Sequence, residues 1–218
     1  VIFNSESLLR AAPIKNMHQS KQQHSSGTSY GLSEAGYDLQ LKQDIRIVPR
    51  ADGTCVISVL EPNKSKAKLS NGRFVLASAI EEFDMPPNLV GVVHDKSTWA
   101  RKGLSVFNTV IEPGWKGFLT LELVYHGSED LHIPAGSGIA QVLFHQTVHA
   151  SSYDGKYQNQ ADQPVDSIFN QGPVLIMDAK GVYPSNLDVA VQQQCRHVWE
   201  YSPYHGTTVC KKCGFESP

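Results

Sequence analysis

Two short clusters near the C-terminus carry the sharpest chemical signature: Cys195-Arg196-His197 and Cys210-Lys211-Lys212-Cys213-Gly214. A Cys-x2-Cys turn followed by Gly lets two thiolates face one ion at about 2.3 Å, and Cys195 with His197 completes a tetrahedral set. Four protein ligands close the coordination sphere, so the expected ion is a structural Zn2+ with no open position for chemistry. Without the ion, so short a segment could not bury enough surface to fold. The competing reading is a redox Cys-x-x-Cys beside an incidental His; the lack of a neighbouring βαβ pattern counts against it. Trp199 and Phe215 are expected to pack over the metal.

Three further segments could do chemistry. His94-Asp95-Lys96-Ser97-Thr98-Trp99-Ala100-Arg101-Lys102-Gly103 gathers cations and hydroxyls beside a glycine. Its composition suits phosphate binding and equally suits a solvated turn. Val110-Ile111-Glu112-Pro113-Gly114-Trp115-Lys116-Gly117 is a tight turn carrying a carboxylate and an indole. It leads into a strand holding Glu122, which on composition alone is either a solvated-face residue or a functional one.

The elements that must position these groups are strands. Asp38–Leu41, Cys55–Leu60 and Arg73–Ala77 alternate, and Phe118–Tyr125 sets Leu119, Leu121 and Leu123 on one face with Thr120 and Glu122 on the other. Short strands separated by Gly and Pro clusters, with no long 3.6-residue periodicity, predict an all-β sandwich, barrel or jelly roll. Residues 1–29 read as an N-terminal lead that turns polar from His18 to Ser26. Residues 161–194 read as a tail and linker, with one more strand expected at Val174–Met177 and a linker or helix at Leu187–Gln194, and residues 195–218 form the zinc-knuckle module. The stretch from Tyr153 to Phe169, rich in Gln, Asp, Asn and Gly, suits a mobile tail or lid.

Of 218 residues, 19 are Lys or Arg and 21 are Asp or Glu. That near-neutral balance argues against a nucleic-acid coat protein, although a small polyanionic ligand needs only a local cluster of cations. No apolar run reaches the roughly 18 to 20 residues of a membrane helix. The four cysteines form no disulfide framework, and the residues around Leu8 and Leu9 form no signal-peptide pattern, so the expected location is the cytoplasm.

Taken in order, Lys96-Ser97-Thr98-Trp99-Ala100-Arg101, Glu112-Pro113-Gly114-Trp115-Lys116-Gly117 and Thr120-Leu121-Glu122 closely resemble the dCTP deaminase branch of the dUTPase-like superfamily. Ser29–Ser33 and Gly36–Leu39 resemble that family's early strand, Gly138–Phe144 its late strand, and Tyr153–Gln160 its nucleotide-covering tail. The resemblance spans about residues 30–160. It implies a distorted jelly roll, a homotrimer with active sites between subunits, and a deoxycytidine nucleotide substrate, dCTP or dCMP, deaminated without a catalytic metal. By position, Glu122 resembles the general acid/base, Ser97 the hydroxyl that holds the attacking water, and Arg101 the cation that supports the charged intermediate. Thr120, Leu121 and Gln141 match the base and sugar pocket, and Glu112 matches the carboxylate that meets the sugar hydroxyl. Lys96, with Thr98 beside Ser97, and Tyr153, Lys156 and Gln160 match substrate contacts towards the phosphates, where Mg2+ is expected to accompany them.

Zinc-dependent deaminases need His-x-Glu and Pro-Cys-x-x-Cys. Here Val209 precedes Cys210 and no His-x-Glu occurs, so the expected zinc is not the catalyst. A dUTP diphosphatase, alone or coupled to deamination, is the alternative enzyme; the dUTPase glycine-rich C-terminal motif is missing. A nucleotide-binding or zinc-knuckle interaction protein is the non-enzyme alternative. Two departures from the family pattern, Asp95 before Lys96 and Asp162 after Gln160, are expected to place negative charge beside the triphosphate and to favour acceptance of dCMP.

Overall fold

Alternation becomes burial where the strands form. In the computed structural model, which describes residues 1–169, 199–202 and 207–210, Cys55, Ile57 and Val59 turn inward while their neighbours stay half-exposed. In chain order the elements are β1 (Ile2–Phe3), α1 (Ser5–Ala11), β2 (Lys21–Gln23), β3 (Ser29–Leu32), β4 (Tyr37–Gln40), β5 (Asp44–Pro49), β6 (Cys55–Leu60), β7 (Lys68–Asn71) and β8 (Phe74–Asp84). There follow β9 (Leu89–Asp95), α2 (Ser97–Ala100), β10 (Leu104–Val106), β11 (Val110–Ile111), β12 (Lys116–Tyr125), β13 (Leu131–Ile133) and β14 (Gly138–Gln146). The two helices span 7 and 4 residues, as an all-β chain without helical periodicity requires.

The strands form three sheets around one core. A seven-stranded sheet runs β11-β9-β14-β4-β3-β2, with β1 also on β14. A three-stranded sheet runs β10-β12-β8 and a four-stranded sheet β13-β5-β6-β7. The core is continuous across them, from Leu39 and Phe144 through Ala77 and Leu121 to Ile45 and Ile57. Its interior is apolar, and the hydrophobic burial that drives collapse is spread over all three sheets.

Residues 1–29, expected as a lead, are built into this unit. Leu8 and Ile14 are buried, β2 is an outer strand of the large sheet, and Val1–Ser167 forms one compact unit. Polarity misled the reading because an outer strand exposes most of its side chains while its main chain pairs on one edge. Residues 168–218 form a second unit. Its described residues are Ile168, Phe169 and the antiparallel hairpin of β15 (Trp199–Ser202) and β16 (Thr207–Cys210), in which Trp199 is the register partner of Cys210. Cys195, His197, Cys213 and Phe215, and the elements expected at Val174–Met177 and Leu187–Gln194, lie outside the described residues.

Candidate active site

Strand β12 is the base of the site. Its alternation holds: Leu119, Leu121 and Leu123 are buried in the core, and Thr120 and Glu122 project to the other side. The register with β8 slips between Phe118 and Thr120, where Glu82 to Ser78 spans more chain than its partner. Such a bulge bends a strand and re-aims its side chains. Beside it lies a cavity of about 340 Å3, the size of a small-molecule site, bounded among others by Glu112, Thr120, Glu122, Tyr153, Gln160 and Asp166.

Glu122 is half-buried, and burial raises its pKa above the ordinary 4.5. No cation lies among the cavity's lining residues to oppose that shift. Burial of this kind makes a carboxyl group hold a proton more readily than a solvated one, as a general acid/base requires.

The segment after β14 closes over this cavity. Tyr153 N–H donates to Pro113 O at 2.8 Å, and the Trp115 indole N–H donates to Tyr157 O at 2.7 Å. Gln158 uses its side-chain oxygen to accept the Lys116 N–H at 2.8 Å and its amide to donate to Gly114 O at 2.9 Å. Phe118 N–H donates to Gln160 O at 3.1 Å, and the Gln160 amide donates to the Thr120 hydroxyl. This approach requires Gly117: its φ is +129°, and a Cβ there would lie 2.5 Å from Gln160 N. The tail expected to be mobile is thus laid down on β12 through Gln160 and on to Val165.

The remaining expected residues are elsewhere. Ser97 and Arg101 lie at either end of one helical turn, four apart and so on one face, and Ser97, Thr98 and Arg101 are all exposed. Trp99 pins that turn: its ring is buried and its indole N–H donates to Gly138 O at 2.7 Å. None of these residues bounds the cavity that holds Glu122. Lys96 turns inward, with Nζ 2.5 Å from Asp38 Oδ2 and 3.0 Å from Ser29 Oγ. Gln141 donates to Ser33 Oγ at 2.9 Å, the Leu121 side chain is in the core, and Lys156 sits with Nζ 5.1 Å from the Tyr157 ring centroid. The single chain therefore gathers Glu112, Thr120, Glu122, Tyr153 and Gln160 around the cavity, while Ser97, Thr98 and Arg101 are exposed outside its lining.

Both carboxylates expected near a triphosphate are already engaged. Asp95 Oδ1 accepts the Val106 N–H at 2.6 Å, tying the end of β9 to β10. Asp162 is ion-paired with Lys42. The sequence reading missed Lys42, Asp38 and the apolar pair Phe74 and Phe107, whose rings stand 6.3 Å apart and of which Phe74 bounds the cavity. No local pattern marks them, because each acts through residues distant in the chain.

The sequence profile of the dCTP deaminase-like family matches residues 8–147. The chain belongs to that family. Among similar proteins, a dCTP deaminase of Protochlamydia amoebophila is 35% identical over 144 residues, covering 61% of this chain and 77% of that protein. A dCTP deaminase of Acidobacterium capsulatum is 30% identical over 173 residues, covering 72% and 94%. A solved dCTP deaminase from Agrobacterium tumefaciens aligns with TM-score 0.43 and 14% identity over 66% of this chain and 47% of its own. Within this dCTP deaminase-like chain the profile match takes in β12 and α2 together, along with the residues before 30 from Leu8 onward.

Proposed function

We propose that this chain hydrolytically deaminates dCTP to dUTP and ammonia. The observation that carries the reading is Glu122: a half-buried carboxyl group with a raised pKa, on the cavity side of β12, in a member of the dCTP deaminase-like family. In the step, the Glu122 carboxylate takes a proton from water as the hydroxide adds to C4 of the pyrimidine, and the proton passes to N3. The tetrahedral centre collapses to a C4 carbonyl when Glu122 relays a second proton to the departing amine. General acid–base assistance of this kind contributes about 10² to 10⁴ in rate.

Ser97 orients the water and Arg101 stabilises the charged adduct. Because neither lines the Glu122 cavity, a second copy of the chain supplies them, which is the homotrimer reading. The lining supports it: Phe74 and Val110, which bound the cavity, are each about half-exposed, as a covered apolar face requires. The lining offers Glu112, Glu122 and Asp166 and no cation, so the positive charge a triphosphate needs comes from Arg101, which follows α2 of that copy, and from Mg2+ travelling with the nucleotide. The three-sheet arrangement is read as the distorted jelly roll of the dUTPase-like type.

Cys195, His197, Cys210 and Cys213 hold a structural Zn2+ in the second unit. The hairpin register pairs Trp199 with Cys210. Such an ion would supply folding free energy to a module too small for a core.

The test is to incubate the full chain separately with dCTP, dCMP and dUTP and separate bases and phosphates by chromatography. Ammonia and dUTP from dCTP support the proposal; pyrophosphate from dUTP with no ammonia from dCTP replaces it with the diphosphatase reading.

A further inference from the structure

Beyond the cavity, one lysine joins the covering segment to the body of the fold. Lys42 follows β4 and its main-chain N–H donates to Ser78 O at 2.9 Å, so its backbone is fixed in the seam beside β8. Its side chain passes the Phe118 ring, with Nζ 5.9 Å from the centroid, and ends on Asp162. There Nζ donates to the Asp162 main-chain oxygen at 2.8 Å and pairs with the Asp162 carboxylate. Lys42 is only 18% exposed in its side chain, so this contact is better shielded than an ordinary surface pair.

Asp162 lies between two residues that bond the same atom inside the cavity. The Gln160 amide and the Val165 N–H both donate to Thr120 Oγ1, the latter at 3.0 Å. A hydroxyl oxygen has two acceptor positions and one proton. With both acceptor positions taken by the strap, the Thr120 proton is what remains to meet a ligand, which makes Thr120 a donor towards the cavity.

We propose that Lys42 is a positioning residue: through Asp162 it holds the 160–165 strap over the cavity, fixing Thr120 as a donor and setting nucleotide affinity without touching the nucleotide. The proposal rests on the reading of this cavity as the nucleotide site. It assigns to Asp162 a partner in the fold instead of a place beside the triphosphate.

Three variants of the full chain test it. Lys42→Met keeps the apolar stem over Phe118 and removes the charge, Asp162→Asn keeps the main-chain acceptor, and Lys42→Arg keeps the charge. In the unliganded protein, Lys42→Met and Asp162→Asn should speed amide exchange of Val165 several-fold, and Lys42→Arg should restore protection. With dCTP, the first two should raise KM about three- to tenfold with kcat within about twofold, a shift expected when the binding-competent arrangement is less populated. Raising salt should move wild-type KM towards the Lys42→Met value. Unchanged Val165 exchange in both variants would overturn the anchor whatever the activity, and a fall in kcat at constant KM would overturn its role in affinity. If wild type releases no ammonia from dCTP, the deaminase reading fails, while the exchange comparison still decides the anchor.

Discussion

Both oxygens of the Glu81 carboxyl group reach the main-chain N–H of Gln40, each at 3.1 Å, across the seam where β8 meets β4. Glu81 is buried, no cation is paired with it among the described residues, and desolvation pushes its pKa from 4.5 up to about 8. The seam is thus closed by a carboxyl group that burial makes harder to ionise.

Stability should therefore fall as pH rises. Below 4.5 Glu81 is protonated folded or unfolded, and its contribution is intact. Between that value and about 8 the unfolded chain gives up the proton while the folded chain keeps it, so stability is lost progressively, and above about 8 the loss is complete. The loss is on the order of a few kcal/mol. Glu81→Gln should raise Tm at pH 8 and flatten the Tm profile between pH 5 and 8; a profile unchanged from wild type would show that Glu81 does not titrate across this range.

Glu122→Gln should retain oligomer and nucleotide binding while kcat for dCTP deamination falls about 10²-fold or more. The amide keeps the shape of the carboxyl group but can carry no proton between water and amine. Stopped assays of ammonia release, beside equilibrium binding of dCTP, measure the two effects separately.

If a second copy supplies Arg101 to the proposed Glu122 site, two inactive variants should complement each other. Arg101→Ala and Glu122→Gln should each be inactive alone. Denatured together and refolded, they should recover roughly a quarter of wild-type turnover if each site joins two copies at random. No recovery, with mixed oligomers verified by mass, would place both residues within one chain's site.

Asp95→Gly should leave the dCTP to dCMP ratio of kcat/KM unchanged, in contrast to the expectation from sequence. What it removes is the acceptor for the Val106 N–H, so the effect is on stability, about 1–3 kcal/mol. Thermal unfolding and the two substrate titrations read the two outcomes independently.

Cys210→Ser and Cys213→Ser should each abolish one equivalent of zinc per chain, measured by elemental analysis, with dCTP turnover retained in the first unit. A chelated protein that regained turnover only on adding zinc would make the ion catalytic.

Period-two alternation was enough to place Glu122 and Thr120 together on the side of β12 away from the core, because the pleat turns successive side chains to opposite faces whatever the strand packs against. The same local rule marked Cys55–Leu60, and the order of motifs was enough for the family. What the charged residues bind was decided elsewhere. Lys42 meets Asp162 from 120 positions away and Lys96 meets Asp38 from 58, while Asp95 turns back to Val106. A charge is specified locally only as something that needs a partner; which partner it finds is settled by the sheet order that folds distant segments into contact, and burial then makes the pairing obligatory. For that reason the chain's periodicity set Thr120 and Glu122 on one side of β12, and only the tertiary structure showed that Asp162 pairs with Lys42 and that Ser97 and Arg101 lie outside the cavity's lining.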